Sequence, residues 1–362
     1  MKKTIRVLHT EWSNGWGGQE IRIINEMIAV RDEGVEVFLA CRHHSKIRIK
    51  ALENNIKVFT LPFMGNIDFK TIFSLKKIIN NYSIDILNTH SGKDTWVGGF
   101  AAKLAGIKFI RTRHLSNRIS PVRTNFINEL ADHIITTGES IRKDLIKFNR
   151  IKPEQIQSIP TGIDVDIYDP LQYGRSVCRK QFDLKEDEVA IGIIAVLRQF
   201  KRHDLFLKMA RLLVDSYPDK KLVFVIAGDG PQKDNISSLI DQLELSSKVR
   251  MLGHIVQVPE LLTALDVFIL SSDSKEGVPQ SVMQALLMNK AVVTTDSGST
   301  RDLFCDDNFL LIESGSLSAL VNAASFYLDG NNLNYDRGFI VNNFSKAEMS
   351  KKILHLYQSL LK

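Results

Sequence analysis

Residues 266–302 read DVFILSSDSKEGVPQSVMQALLMNKAVVTTDSGSTRD, and this stretch decides the fold. The apolar run 267–270 is short and unbroken, as a strand buried on both faces of a parallel sheet is. A polar loop follows over 271–275, then Glu276, Gly277 and Pro279, then a helix over 280–288. Residues 291–295 give the next strand, and Ser297, Gly298 and Ser299 the loop after it. Both loops follow strands, so both belong at the carboxyl edge of a parallel sheet, where open α/β sheets bind ligands. The Gly277-Val278-Pro279 turn leads into a helix whose first N–H groups lack partners at the positive end of the dipole, a place suited to an anion. Glu276 stands at that mouth, where a carboxylate accepts hydrogen bonds from sugar hydroxyls.

The same strand-loop-helix rhythm runs outward in both directions. A strand over 4–9 precedes the Gly-rich turn NGWGGQE (14–20), a helix over 21–33 and a strand over 35–40. The turn carries Gly17 and Gly18 but is not a Gly-x-Gly-x-x-Gly dinucleotide fingerprint. Residues 69–82 (FKTIFSLKKIINNY) place Phe69, Ile72, Phe73, Leu75, Ile78 and Ile79 on a wide apolar stripe flanked by lysines, the pattern of a helix facing a core with a solvated basic side. Strands over 84–88 and 108–112 each end in a loop with a histidine: His90 with Ser91, Lys93 and Asp94, then His114 with Arg113 and Ser116. Glu139 opens a helix after the strand 131–136. PTGIDVDIYDP (160–170) reads as an interdomain boundary from its Pro, Gly and Asp content. Beyond it the pattern restarts. A strand over 189–197 leads to Arg198 and Lys201, a strand over 222–227 to the turn Gly228-Asp229-Gly230-Pro231, and a strand over 249–252 to Gly253. Arg198 and Lys201 suit a diphosphate, one as a fork and the other as a point charge.

At 362 residues the chain is expected to form two domains. Residues 1–165 hold 25 Lys and Arg against 16 Asp and Glu, while 166–362 hold 22 against 25. A basic first half calls for an anionic partner, such as a membrane surface, a lipid phosphate or an acidic glycan. No motif or aromatic–basic interleaving points to nucleic acid. Cys41, Cys178 and Cys305 are scattered, without a Cys-x-x-Cys pair, which fits a reducing cytoplasm and neither a disulfide framework nor a zinc site. Arg6, His9 and Glu11 interrupt any apolar core that a signal peptide would need, and no apolar run reaches the length of a membrane span.

EGVPQSVMQAL (276–286) resembles the Glu-x7-Glu signature of the family-four retaining glycosyltransferases of GT-B fold. NTHSGKDTW (88–96) and FIRTRHLS (109–116) resemble a bacterial subgroup of that family tied to surface-polysaccharide and lipopolysaccharide assembly. The resemblance spans nearly the whole chain and implies an α/β architecture of two doubly wound, Rossmann-like domains facing a cleft. Residues 1–165 would form the acceptor-side domain, 166–345 the nucleotide-sugar domain, and 346–362 a helix returning toward the first. It implies sugar transfer from a UDP- or GDP-linked donor to a glycan or lipid-linked acceptor, with retained configuration. The resemblance calls for no metal, with Arg198 and Lys201 standing as the cations, and for no cofactor beyond the donor.

By resemblance Glu276, His114, Lys201 and Arg198 carry the chemistry, with His114 near the donor sugar. Gly17, Gly18, Gly228, Gly253, Gly277, Val278, Pro279 and Gln284 hold the donor. His90, Lys93, Asp94, Arg113 and Glu139 face the acceptor. The chain departs from the family at two positions: Gln284 stands where the family has its ribose-reading Glu, and Val196 where the common spacing has an Arg. A nucleotide-sugar epimerase of the same fold, and a catalytically weak glycan- or lipid-binding protein, stand as alternatives, the latter motivated by these two departures.

Overall fold

The computed structural model describes residues 4–114, 123–273, 276–305 and 310–362. Ser116 and, in the loop before Glu276, Ser274 and Lys275 lie outside the described residues. The chain forms two compact units, Met1–Gly162 with Phe344–Lys362, and Ile163–Asn343.

The first unit holds a seven-stranded sheet of β1 (Arg6–Glu11), β2 (Glu36–Cys41), β3 (Lys57–Thr60), β4 (Ile86–Thr89), β5 (Lys108–Arg113), β6 (His133–Thr136) and β7 (Ile156–Ser158). Their spatial order is β3-β2-β1-β4-β5-β6-β7, and every pairing is parallel. The second unit holds a six-stranded sheet of β8 (Val189–Ile194), β9 (Leu222–Ala227), β10 (Val249–Gly253), β11 (Val267–Leu270), β12 (Ala291–Thr295) and β13 (Leu310–Ile312), in the order β10-β9-β8-β11-β12-β13, again wholly parallel.

Strand side chains alternate between two cores, as a pleat with period two requires. In β9, Leu222, Phe224 and Ile226 pack into one cluster with the helix His203–Ser216, while Val223, Val225 and Ala227 pack into another with the helix Val258–Ala264. Both faces are therefore covered, which is why these strands read as continuous apolar runs. In the first unit Val7 and Ile110 face one core and Leu8 and Phe109 the other.

Three expectations change. The strand foreseen over 189–197 ends at Ile194, because the next residues turn to bond a neighbouring loop: Ala195 N–H donates to Ala227 and Leu197 N–H to Asp229, each at 3.0 Å. The edge strands β3 and β13 have no counterpart in the sequence reading. In the helix Phe69–Tyr82, Ile72, Leu75 and Ile79 are buried as foreseen, but Phe69 and Phe73 stand 66% and 61% exposed, beside exposed Met64 and Ile67.

The helix Lys346–Leu360 belongs to the first unit and packs on the helix Gly18–Asp32. Met349, Ile353, Leu356 and Tyr357 join Ile23, Ile24, Met27 and Val30 in one core. Beside that core lies a fully buried ion pair, Arg22 Nε to Glu26 Oε2 at 3.1 Å. Asn88 Nδ2 and the Tyr357 hydroxyl donate to the other Glu26 oxygen at 3.3 and 3.4 Å. Removing one partner of such a pair strands a charge in a dry interior. Arg22→Met is therefore expected to cost about 3 kcal/mol or more of stability, read as a lowered urea midpoint. A loss under about 1 kcal/mol would show that Glu26 does not depend on Arg22.

Candidate active site

In each sheet the strand order reverses once, between β1 and β4 and between β8 and β11. Loops leaving the two strands at such a point diverge to opposite faces and open a crevice at the carboxyl edge. Both groups of candidate residues lie at these points.

In the second unit, Lys201 follows β8 and Glu276 follows β11. The Lys201 ammonium is ion-paired with Glu276 Oε1, and both side chains are largely buried. Backbone bonds stitch the two loops beneath them. Asp273 N–H donates to the Phe200 carbonyl at 2.8 Å, and the Ser271 hydroxyl lies 3.1 and 3.0 Å from the carbonyls of Lys201 and Arg202. The loop after β12 closes from the other side. Gly298 has φ +59°, and a Cβ there would fall 1.6 Å from the Glu276 carbonyl oxygen, so only glycine fits. Ser299 N–H donates to the Gly277 carbonyl at 3.2 Å. Val278 and Pro279 are buried, and Pro279 caps the helix Gln280–Leu287 with no side-chain bond to its first N–H groups. The hydroxyls of Ser272 and Ser297, on the same edge, are buried without a partner among the described residues.

The remaining donor-side residues are placed as follows. Gln284 is half-buried on that helix, and its amide bonds the Tyr168 hydroxyl, whose pKa burial pushes up to about 12. Gly228 takes φ +147° because a Cβ would sit 1.9 Å from the Ala195 carbonyl oxygen, and its N–H donates to the Gly253 carbonyl at 2.7 Å. Both glycines thus hold the loops after β8, β9 and β10 together. Arg198 is exposed and does not join the Lys201–Glu276 pair. It lines, with Phe200, His203, Gln232 and Asp273, a cavity of about 510 Å³.

In the first unit three imidazoles form a chain across the β1/β4 reversal. His9 Nδ1 lies 2.9 Å from His90 Nε2, and His90 Nδ1 lies 3.0 Å from His114 Nε2. The rings of His9 and His90 stack at 5.2 Å. Burial holds all three neutral: His9 falls to about 4, His114 to about 3, and His90 well below its ordinary value, with nearby positive Arg22 acting in the same direction. Arg113 is half-buried at the end of β5.

The structure places the acceptor-side candidates and the Gly-rich turn as follows. Asp94 is fully buried and caps the helix Gly92–Ala105. It accepts from Thr10 Oγ1 (2.8 Å), His90 N–H (2.9 Å), Ser91 N–H (2.8 Å) and Ser91 Oγ (2.6 Å), so all four lone-pair sites are taken and none faces an acceptor. His90 is 3% exposed and meets other histidines, not solvent. His90 thus bonds His114 through its ring and Asp94 through its backbone N–H. Gly17 N–H is donated to the Glu20 carboxylate at 2.9 Å, within the turn expected to hold the donor. Gly18 begins the helix and is exposed. Lys93 is exposed, with its ammonium 4.2 Å from the centre of the Trp12 ring. Glu139 is half-buried and paired with Arg142 at 2.7 Å.

Comparison with known proteins decides the family. Residues 16–167 match the model described as Glycosyltransferase Family 4, and residues 175–338 the one described as Glycosyl transferases group 1. The chain belongs to the family-four glycosyltransferases. Among its relatives is a UDP-Gal:alpha-D-GlcNAc-diphosphoundecaprenol alpha-1,3-galactosyltransferase of Escherichia coli, 25% identical over 382 residues, which span 99% of this chain and 98% of the relative. The putative glycosyltransferase EpsD of Bacillus subtilis is 25% identical over 79% of this chain and 78% of its own. The fold is GT-B. A glycosyltransferase from Rickettsia africae ESF-5 superposes with a TM-score of 0.89 at 19% identity over 99% of both chains. Anabaena HepE, solved with UDP and glucose, superposes with a TM-score of 0.81 at 18% identity over 98% of this chain and 100% of its own.

Two residues of this glycosyltransferase escape the sequence reading, His9 and Glu11. Their signal is a polar residue at the carboxyl end of an otherwise apolar, buried strand. Glu11 is fully buried, and its Oε1 accepts from Ser13 N–H at 2.7 Å while Gln19 donates to Oε2. Burial, then the neighbouring Asp94, push its pKa up to about 8. An unfolded Glu ionises near 4.5, so unfolding releases a proton between about pH 4.5 and 8, and stability is lost as pH rises through that window. Glu11→Gln removes this dependence. Its urea midpoint, relative to the parent protein, should rise between pH 5 and pH 8; an unchanged difference would rule out a protonated Glu11.

Proposed function

We propose that this glycosyltransferase transfers a sugar from a nucleoside diphosphate donor to a lipid-linked or glycan acceptor in cell-surface polysaccharide synthesis, with retained configuration and without a metal ion. The observation that carries the reading is the Lys201–Glu276 pair at the β8/β11 reversal, beside the amino end of the helix Gln280–Leu287. An ammonium and a set of helix N–H groups, held in place before the reaction, supply fixed positive charge for a leaving diphosphate. Arg198, three residues before Lys201 in the chain, is exposed and offers a second cation to the donor. The Glu276 carboxylate is engaged by the ammonium instead of being aimed at an attacking hydroxyl, which supports a role in holding the sugar and orienting Lys201. That arrangement favours retention over an inverting reaction, in which a free carboxylate would activate the acceptor. Gln284 offers amide groups to a ribose through contacts that carry no charge. His114 is assigned to the donor sugar by the family resemblance. The E. coli relative's name supports a UDP-linked donor and a diphosphate-linked polyprenol acceptor.

Incubation of the full chain with labelled UDP- and GDP-sugars and a polyprenyl diphosphate-linked acceptor tests this reading. Transfer is expected, with product anomeric configuration matching the donor. Glu276→Ala and Lys201→Ala should each lower the rate by roughly a hundredfold, the scale of one lost preorganised contact. An epimerised donor, or binding without turnover, would replace the reading by one of its alternatives.

Peripheral attachment to the cytoplasmic face of the membrane is part of the proposal. The support is the helix Phe69–Tyr82, where exposed Phe69 and Phe73 stand with Lys70 and Lys77 on a chain whose first half is basic. Aromatic side chains beside lysines suit an anionic lipid surface. No helix among the described residues is long and apolar enough to cross a membrane. The full chain should sediment with anionic vesicles in a salt-sensitive manner, and Phe69→Glu with Phe73→Glu should abolish most of that binding. Equal sedimentation of the double variant would exclude this helix as the attachment surface.

A further inference from the structure

The three-histidine chain has a direction, and its inner end determines it. His9, His90 and His114 are linked by two hydrogen bonds, 2.9 and 3.0 Å. Each neutral imidazole carries one ring proton, so each bond has one donor and one acceptor, and the chain runs either outward or inward. At the inner end, His9 is fully buried on β1, and its Nε2 has no hydrogen-bond partner among the described residues. A proton on that nitrogen would be a buried N–H with nothing to accept it, whereas a bare ring nitrogen there is the milder loss. The proton of His9 therefore sits on Nδ1 and is donated to His90 Nε2. The His90 proton then sits on Nδ1 and is donated to His114 Nε2. His114, accepting at Nε2, carries its own proton on Nδ1.

We propose that His9 and His90 are positioning residues that fix His114 as the Nδ1–H tautomer, making it a one-way hydrogen-bond donor toward a hydroxyl or phosphate oxygen of the substrate. The identity of that oxygen rests on the assignment of His114 to the donor sugar; the tautomer does not. The buried surroundings keep the device intact across the neutral range. Arg22 and Glu26, the charged groups bearing on His9, are paired with each other, and Arg22 and Arg113 both oppose protonation of His114. Geometry adds to this, because the near-parallel stacking of His9 and His90, 8° between planes, holds the first two rings against rotation. A free imidazole in water favours the Nε2–H form, so the chain would hold His114 in the form that solution disfavours.

Long-range proton–nitrogen correlation spectra of the ¹⁵N-histidine-labelled full chain at neutral pH read each tautomer directly. The His114 signals, assigned by their loss in His114→Ala, should show Nδ1–H; an Nε2–H pattern overturns the proposal. In His9→Phe the ring is kept and the donor removed, so His114 should shift toward Nε2–H, and the transfer rate should fall roughly tenfold, the scale of one hydrogen bond. An unchanged His114 tautomer in His9→Phe would also overturn it. His9→Asn restores an N–H donor and should restore the Nδ1–H pattern in folded protein. Absence of transferase activity in the parent chain would refute the proposed reaction and leave the tautomer reading standing, so the two failures are distinct.

Discussion

A single reversal of strand order in each sheet sets where chemistry can occur. Because the paired strands are parallel, every crossover leaves from the same carboxyl edge, and the candidate loops gather there. The reversal then parts two of those loops. In the second unit the parted loops bear Lys201 and Glu276; in the first they bear the histidine chain and the turn after Glu11. Glycines allow the gap to be lined with backbone. Gly298 lets the loop after β12 press against the Glu276 carbonyl, and Gly228 lets the loop after β9 press against Ala195.

Burial treats the charged groups at this edge in two ways. Where a partner is near, charge is retained: Lys201 with Glu276, Arg22 with Glu26. Where no partner is near, burial favours the neutral form, as in His9, His90, His114 and Glu11. The histidine chain and Glu11 of the first unit are thus polar but uncharged, while Lys201 and Glu276 of the second pair with each other.

Much of this was open to a reader of the sequence, for identifiable reasons. The strands Leu222–Ala227, Val267–Leu270 and Ala291–Thr295 are unbroken apolar runs, and the structure gives them those bounds. The family signature at Glu276 is local and survives the change at Gln284. The edge strand Lys57–Thr60 is hidden because, covered poorly, it carries no apolar run. Asp94 misleads in a different way. Ser91-Gly-Lys-Asp94 has the spacing of a capping box, and that bland reading is the one the backbone adopts. His9 is missed because its role depends on a partner eighty-one residues away, across a parallel pairing that local pattern cannot register.

The return of the helix Lys346–Leu360 to the first unit makes the second unit an insertion in the first. On the ribosome this orders events. The residues 163–343 are made while Ile23, Met27 and Val30 still lack the side chains of Ile353 and Tyr357 that share their core. The amino-terminal unit, although synthesised first, finishes last. A nascent chain therefore carries an uncovered apolar face until the helix Lys346–Leu360 has been made.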